Sequence, residues 1–333
     1  MTSVRDAILI GAAAASEYHE AFRTRAAVVD GARSIDIFGA ITELEIPLEF
    51  AALKSLLGAC IRVSDATVGI MITTLRDLHL QRFTAAHELG HFLLQHDGSL
   101  DREIRFPGQT EGRNSQEVEA DAFAAEFLMP KWQIAAVAKR HGWWSVEQLS
   151  IPDIVYQLSL RLAVSYEATC WGLASQGCIE RGVAERLAGL PPKASKLRAL
   201  RGIALDNPWA DVWCLDHADQ GTVLDGGPND VFLVTLEEQA TGGYTWDLAS
   251  ARRLGCVVID DSSEFDETHV GGSSKRRIAL QVPNGIHELS LSYGRPFSRA
   301  AKVTKHFQVN LSTLGSQRDG AYVSARSSTA TVH

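Results

Sequence analysis

Residues 82–94 read Arg-Phe-Thr-Ala-Ala-His-Glu-Leu-Gly-His-Phe-Leu-Leu and determine how the first half of the chain is interpreted. Apolar residues recur at helical spacing, and the turn signal Asp97-Gly98-Ser99 follows, so we predict a buried helix over residues 80–94. His87 and His91 are four residues apart, and on a helix such a pair lies on one face, where both imidazoles reach one metal ion. The stretch therefore predicts a helix that carries a zinc site.

Glu88 follows the first histidine and is rotated from it by about 100° around the helix axis. A carboxylate there reaches a metal-bound water without occupying a coordination position, as a general base must. A catalytic zinc keeps three protein ligands, so one more is expected elsewhere in the chain. The metzincin pattern needs glycine and histidine three and six residues after His91, where this chain has Leu94 and Asp97, so that class is excluded.

The acidic segment at residues 117–128 is predicted to be a second helix and to supply the third ligand. Glu117 and Asp121 share one helical face, whereas Glu119 points about 200° away from Glu117. We predict Glu117 as the ligand and Asp121 as the acceptor of the free N–H of a ligating histidine. Glu119 is the alternative ligand, and an ordinary solvated helix face is the alternative interpretation of all three acids.

These residues together predict a zinc-dependent metalloendopeptidase. Zinc on the three ligands activates a water for attack on a peptide carbonyl, and Glu88 accepts the proton of that water. Tyr156 and His96 are the two candidates for stabilising the oxyanion beyond the metal, and no spacing rule selects either. Zinc is preferred over manganese on ligand type only, because the same donors also suit other divalent ions.

The residues around both predicted helices resemble the ImmA/IrrE family of bacterial metallopeptidases. The resemblance covers about residues 40–180 and includes a helix-turn-helix-like segment at residues 157–177. It implies a zincin-like helical domain in a cytoplasmic enzyme that cleaves a transcriptional repressor in a stress or mobile-element response. Only Arg161 stands out as a basic residue of the segment, so we expect it to pack within the protein and do not expect direct DNA binding.

The remaining sequence indicates a soluble, cytoplasmic protein of about two domains. The chain has 333 residues and a net charge of −8, which argues against general attraction to nucleic acid or anionic lipid. Its five scattered cysteines suit a reducing compartment better than a disulfide framework. The apolar run at residues 7–15 is interpreted as a helix and not as a signal peptide, because Asp6 precedes it, and no apolar stretch is long enough for a membrane span.

The chain is predicted to be α+β, with two unlike domains. We interpret residues 1–180 as the helical peptidase domain with a small β hairpin near residues 61–73, and residues 181–221 as a connector. Apolar residues then alternate with period two, which predicts an all-β domain over residues 222–311. Residues 312–333 are polar and small and are predicted to be a disordered tail.

Three loops of the all-β region, at residues 241–246, 269–274 and 293–297, resemble by order and spacing the loops of chagasin. That family consists of immunoglobulin-like inhibitors that insert three loops into papain-type cysteine proteases, so the resemblance implies such a sandwich and a possible protease partner. The first loop departs from the family's Asn-Pro-Thr-Thr-Gly-Tyr, because residues 239–244 read Gln-Ala-Thr-Gly-Gly-Tyr and lack the proline and one threonine. The predicted contact residues are Thr241, Gly243, Tyr244, Trp246, Gly271, Gly272, Arg295, Pro296 and Phe297.

Two other functions remain open at this point. In the first, the chain is a metal-stabilised binding protein that senses or sequesters a partner without proteolysis. In the second, it is a cysteine-protease inhibitor that carries an inert metal domain. For the contact residues, the alternative is that Trp246 and Tyr293 belong to the core of a plain sandwich.

Overall fold

The computed structural model of the protein combines helices with three β-sheets, so the predicted α+β class is confirmed. Helices predominate in the first 200 residues and strands in the remainder. The described residues are 3–64, 67–96, 99–101, 114–239, 242–265, 274–295 and 303–322.

The elements have the following bounds. The helices are α1 (Val4–Ala21), α2 (Thr24–Asp30), α3 (Ile37–Glu43), α4 (Leu78–Leu93), α5 (Ser115–Leu128), α6 (Lys131–His141), α7 (Pro152–Leu162), α8 (Tyr166–Ser175), α9 (Arg181–Ala188), α10 (Lys193–Leu200) and α11 (Ala249–Arg253). The strands are β1 (Leu48–Ala51), β2 (Gly58–Ser64), β3 (Thr67–Thr73), β4 (Ser99–Asp101), β5 (Val212–Leu215), β6 (Val223–Asp225), β7 (Val231–Glu238), β8 (Thr245–Asp247), β9 (Val257–Phe265), β10 (Ser274–Gln281), β11 (Ile286–Gly294), β12 (Lys305–Ser312) and β13 (Gly320–Ala321).

The first sheet has the strand order β13-β1-β3-β2-β4 and supports helix α4. Strands β2 and β3 form the predicted hairpin, and β1 runs parallel to β3 with Leu48 opposite Ile70. Apolar side chains from both partners, such as Phe50 and Ile72, are almost fully buried. This packing holds the face of the sheet against the helix that carries both histidines.

Helices α4 and α5 approach each other closely at Gly90. A Cβ atom added there would lie 3.1 Å from Cβ of Phe123, closer than ordinary van der Waals contact. The glycine inside the His-x-x-x-His spacing therefore lets the backbone of α4 lie against α5. As a result, the acidic face of α5 comes within reach of the imidazoles on α4.

Helices α7 and α8 form the predicted helix-turn-helix-like pair. Ser165 caps α8 by accepting a hydrogen bond from the backbone N–H of Ala168. Arg161, at the end of α7, is buried and donates to both carboxylate oxygens of Asp219 at 2.9 and 3.0 Å. Because this guanidinium is committed to an internal ion pair, the structure agrees with a packing role for the helix pair.

Two four-stranded sheets make up the C-terminal region, in the orders β5-β7-β10-β9 and β6-β12-β11-β8. Trp213 and Phe232 from the first and Trp246 and Phe307 from the second belong to one hydrophobic cluster. Strand β5 lies inside the segment interpreted as a connector, where it pairs in parallel with β7. That interpretation of residues 181–221 is therefore wrong for its last part, because four residues are too short a run to show alternation.

The predicted tail is also wrong where the structure describes it. Strand β13 pairs antiparallel with β1, with Ala321 opposite Glu49. Buried Gln81 of α4 holds the segment before β13 in place. Its Oε1 accepts from the backbone N–H of Gln317 at 2.7 Å, and its Nε2 donates to the carbonyl of that residue at 3.2 Å. The chain thus returns from the C-terminal sheets to complete the first sheet. None of the described helices is long and apolar enough to cross a bilayer.

The Arg161–Asp219 pair predicts a distinct acid response. Burial raises the pKa of Asp219, but the charge and the hydrogen bonds of Arg161, together with the neighbouring His141, outweigh it and lower the pKa from 3.8 to about 2. Because the folded-state pKa is depressed, the carboxylate stabilises the fold above about pH 4. That contribution, on the order of 2 kcal/mol, is lost as the pH falls to about 2.

Asp219→Asn should be less stable than wild type at pH 7, since it leaves a buried guanidinium without its counter-charge. Its unfolding free energy should approach that of wild type as the pH falls, because wild type alone loses the ionised carboxylate. Urea unfolding between pH 2 and pH 7 measures both effects, with Asp206→Asn, at an exposed carboxylate, as the control. Parallel pH curves for wild type and Asp219→Asn would contradict the assignment.

Candidate metal centre

Helices α4 and α5 bring His87, His91 and Glu117 to one point. The Nε2 atoms of the two histidines are 3.1 Å apart. The carboxylate of Glu117 lies 3.7 Å from Nε2 of His87 and 3.6 Å from Nε2 of His91. Both rings are almost fully buried, whereas the Glu117 side chain is 24% exposed, so the group opens to solvent on its carboxylate side.

Asp121 fixes the tautomer of His87. Its Oδ1 lies 2.9 Å from Nδ1 of His87, and both side chains are buried. A carboxylate oxygen accepts, so Nδ1 carries the proton and Nε2 of the neutral ring keeps its lone pair. Asp121 thus lies where the sequence places it, one helical turn beyond Glu117.

A second chain of hydrogen bonds, through His96 and Glu119, orients His91. Nε2 of His96 lies 3.0 Å from Oε2 of Glu119, and Nδ1 of His96 lies 2.9 Å from Nδ1 of His91. Since Glu119 accepts from Nε2–H of His96, Nδ1 of His96 is the acceptor for Nδ1–H of His91. His91 therefore also presents an unprotonated Nε2, aimed at the same point as that of His87.

The donor set fits a zinc ion. With bonds of about 2.0–2.1 Å in tetrahedral geometry, ligand atoms lie about 3.3 Å apart. The separations of 3.1, 3.6 and 3.7 Å bracket that value. Two lone pairs also face each other at the shortest separation, which is unfavourable without a cation between them. Two imidazoles and one carboxylate are donors that suit zinc and leave a fourth position open.

Glu88 lies in the wall beside this group. The residue is fully buried, and its side chain packs against Gly58 of β2. A Cβ atom at Gly58 would lie 2.6 Å from Oε1 of Glu88 and 2.5 Å from Cγ2 of Thr84, so only glycine fits there. The strand and the helix together therefore hold the carboxylate in one place.

Three residues for which the sequence suggests a role at the metal centre have other surroundings than expected. Glu119 binds His96 and is not part of the ligand group, so the alternative ligand is not supported. His96 lies behind His91 and supports its ring, so its assignment to the oxyanion is wrong. The Tyr156 hydroxyl donates to Asp211 at 2.8 Å and accepts from the N–H of Val212, so this residue serves strand β5 and its oxyanion assignment is also wrong.

A second group with metal-ligand chemistry consists of His141, Asp216 and Asp219. The carboxylate of Asp219 is already held by Arg161 on both oxygens. Nε2 of His141 also accepts from Nε of Arg161 at 2.9 Å. An adjacent guanidinium repels a cation, so this group is an ion-pair network and not a metal site.

The predicted contact residues of the C-terminal region have different environments. Tyr244 is partly exposed, and the guanidinium carbon of exposed Arg295 lies over its ring, 4.4 Å from the ring centre. Trp246 is 1% exposed and donates through Nε1 to the carbonyl of Glu237, so its assignment as a contact residue is wrong and it belongs to the core. Gly243 is described, with φ of +73°. Thr241, Gly271, Gly272, Pro296 and Phe297 lie outside the described residues.

The strands that flank these loops end on one side of the region. Glu238, the last residue of β7, lies opposite Ser274, the first residue of β10. The N–H of Gln239 donates to the hydroxyl of Tyr293, near the end of β11, at 2.8 Å. The described flanks of all three loops therefore meet at the same end of the sheets.

Comparison with known proteins supports both halves of this description. Residues 46–173 match the family model of the IrrE N-terminal-like domain, a peptidase family, and residues 227–311 match that of the Chagasin family peptidase inhibitor I42. The chain thus joins a metallopeptidase-like domain to a chagasin-like domain, and both resemblances stated from the sequence are confirmed.

Two solved structures are each similar to about a third of the chain. The cysteine protease inhibitor EhICP2 from Entamoeba histolytica has 18% identity over 32% of this chain and 98% of its own, with a TM-score of 0.27. Amebosin has 17% identity over 31% of this chain and 96% of its own, with a TM-score of 0.25. A search of curated proteins found no match.

The two hydrogen-bond chains predict how metal affinity responds to mutation. Asp121→Ala and Glu119→Ala should each weaken zinc binding about 10–100-fold, because each removes an acceptor that keeps a ligating Nε2 unprotonated. Competition with a chelator of known affinity measures the change without any activity assay. Glu126→Gln is the matched control on α5, since its carboxylate binds Gln176 instead of a histidine. Wild-type zinc affinity in Asp121→Ala would contradict the tautomer assignment.

Proposed function

We propose that the N-terminal region is a zinc-dependent metalloendopeptidase, with His87, His91 and Glu117 as ligands and Glu88 as the general base. The observation that carries the proposal is the convergence of two unprotonated Nε2 atoms and one carboxylate within 3.7 Å of one another. The match of residues 46–173 to a peptidase family supports it. When bound, zinc supplies a Lewis acid for the scissile carbonyl and lowers the pKa of the attacking water towards about 7.

Side chains around the ligands have the remaining roles in the proposed reaction. Glu88 accepts the proton of the attacking water and returns it to the leaving amine, and its tight packing against Gly58 limits its rotamers. Asp121 keeps His87 in the tautomer that can bind a metal, and the His96–Glu119 pair does the same for His91. No proton needs to move on either imidazole during the reaction.

The substrate we infer is a protein regulator, in particular a transcriptional repressor, cleaved in a stress or mobile-element response in the cytoplasm. The support is the match to the IrrE N-terminal-like model. The five cysteines all lie in the described part of the chain and form no disulfide there, which suits a reducing compartment. We further infer a zincin-like arrangement of the helical region and an immunoglobulin-like arrangement of the two C-terminal sheets.

Replacement of the base separates metal binding from catalysis. Glu88→Gln should keep the zinc content of wild type and lose cleavage, because the amide has nearly the same shape but cannot accept the proton. His91→Ala should lose both, since it removes a ligand. Zinc analysis of the purified protein and a cleavage assay against repressors encoded beside its gene measure the two properties.

The control for these variants is Glu167→Gln, at an acidic residue on α8 outside the ligand group. It should retain zinc and cleavage. Near wild-type cleavage by Glu88→Gln would eliminate Glu88 as the base. Stoichiometric zinc with no cleavage of any co-encoded regulator by wild type would favour the non-proteolytic binding protein.

A second function, binding of a papain-type cysteine protease, is favoured by the chagasin-family match over residues 227–311. The cation–π pair of Arg295 and Tyr244 presents a rigid, partly exposed surface at the loop end of the sheets. Aromatic and arginine side chains of this kind are common anchors of protein interfaces. This surface would recruit or inhibit a protease while the metal centre acts elsewhere.

The full chain should therefore inhibit papain, and Arg295→Ala should weaken that inhibition about tenfold because it removes an anchor side chain. Inhibition constants with a fluorogenic peptide substrate measure the effect. Asn284→Ala is the control, since it lies in the turn between β10 and β11, at the opposite end of the strands. No inhibition by wild type would eliminate this function for papain.

A further inference from the structure

The segment at residues 317–322, here called the C-terminal strap, lies on the first sheet, although the chain before it belongs to the C-terminal sheets. Its strand β13 covers the edge of β1, with Gly320 opposite Phe50. The N–H of Tyr322 donates to the carbonyl of Leu48 at 3.0 Å. The strap lies outside both family matches, so neither family explains why the chain returns to this edge.

A buried amide recognises the backbone at the start of the strap. Gln81 of α4 is 0% exposed, and its side chain accepts from the N–H of Gln317 and donates to the carbonyl of the same residue. Such a two-point contact recognises the peptide backbone and no side chain, as the pairing of an added strand does. The edge of β1 and the Gln81 amide thus form a surface that accepts an extended peptide.

Two side chains of the strap contact residues of the helical region. A carboxylate oxygen of Asp319 accepts from the hydroxyl of Thr74 at 2.6 Å. The ring of Tyr322 lies against Phe38 and Phe50, with distances of 5.5 and 6.3 Å between ring centres, and both phenylalanines are almost fully buried. The surface therefore favours an acidic residue that is followed, three residues later, by an aromatic one.

Gly320 lies between these two side chains and restricts the peptide further. Its φ is +129°, a value that glycine adopts readily and L residues rarely adopt. A Cβ atom there would meet nothing within 4 Å among the described residues, so the restriction comes from the backbone and not from a clash. The segment that fits this surface thus has glycine directly after the acidic residue.

The strap makes few contacts, and we therefore expect it to dock reversibly. Residues 318–321 are exposed, and β13 has only two residues. Segments that bury little apolar surface open locally at low cost in free energy. Thr313, by contrast, is 0% exposed, and its hydroxyl donates to the carbonyl of Pro283 at 2.7 Å, so the chain before the strap is fixed. This fixed point keeps the strap near its site at a high effective concentration.

We propose that the edge of β1 is a binding site for an extended peptide with the pattern acidic residue, glycine, small residue, aromatic residue, and that the C-terminal strap occupies this site reversibly. A partner protein that exposes such a segment binds here by replacing the strap, which releases the C-terminal sheets from this edge of the first sheet. The proposal does not depend on the peptidase or inhibitor function, because no metal ligand and no chagasin-like loop contributes to the site.

Fluorescence anisotropy of a labelled synthetic peptide of residues 314–322 with the full chain tests the proposal. Wild type should bind the peptide weakly, because its own strap holds the site. The double variant Asp319→Ala, Tyr322→Ala, whose strap loses both side-chain contacts, should bind it about tenfold more tightly, since the site is open in a larger fraction of molecules. The matched control, Arg318→Ala at an exposed residue of the strap, should bind it as wild type does.

Changes in the peptide test the contacts without affecting the fold of the protein. With the double variant as receptor, Gly320→Ala in the peptide should weaken binding about fivefold or more, because an L residue is strained at this φ. The D enantiomer of alanine at the same position favours positive φ and should bind as glycine does. Tyr322→Ala in the peptide should weaken binding about tenfold, because it removes the ring that packs on the buried phenylalanines.

A change in the receptor locates the site on the protein. Thr74→Val, added to the double variant, should weaken binding of the unchanged peptide about fivefold, but should not affect the peptide that carries Asp319→Ala, which already lacks the acceptor. Absence of peptide binding to the double variant, equal affinity of wild type and double variant, equal affinity of the L- and D-alanine peptides, or additive losses in this cycle would each overturn the proposal.

Discussion

The close contact between α4 and α5 is the constraint on which the metal centre depends. One helix provides both imidazoles, but their Nε2 atoms are usable only because carboxylates of the other helix hold the Nδ1 protons, directly for His87 and through His96 for His91. Gly90 makes the contact by allowing Phe123 to approach the backbone of α4. A larger residue there would separate the two helices, and the ligand Glu117 and both hydrogen-bond chains would move away together.

Much of this centre could be predicted because it is local. His87 and His91 lie on one face of any helix because they are four residues apart. Glu117 and Asp121 have the same spacing and therefore also share a helical face. The position of His96 could not be predicted. It depends on the turn after α4, where Gln95 adopts φ of +56° and directs the chain back toward His91. Sequence spacing does not reveal such a backbone conformation, so the link between Glu119 and His91 was missed.

In the fold too, elements set by local residues could be predicted, and elements that depend on distant partners could not. Helix pairs with a cap, such as α7 and α8, follow from local residues, and the β2–β3 hairpin follows from two adjacent β-branched runs. Strands β5 and β13 were missed because each has only two to four residues and gains its stability from a distant partner. The pairing of Ala321 with Glu49 joins residues that are far apart in the chain. A polar, glycine-containing segment gives no local sign of such a pairing.

Arg161 connects the helical region to the chain that follows it. It is the one prominent cation of the helix-turn-helix-like segment, which the sequence predicts to pack within the protein, and its guanidinium is buried and held by Asp219, Gln157 and the carbonyl of Cys214. Every one of these bonds links α7 to the start of the C-terminal region or to α7 itself. Removing a buried cation from its partners is costly, so the two regions resist separation at this point. The Arg161–Asp219 ion pair therefore couples helix α7 to the segment that leads into the C-terminal sheets, and the hydrogen bonds of Tyr156 and Gln157 to strand β5 reinforce this link.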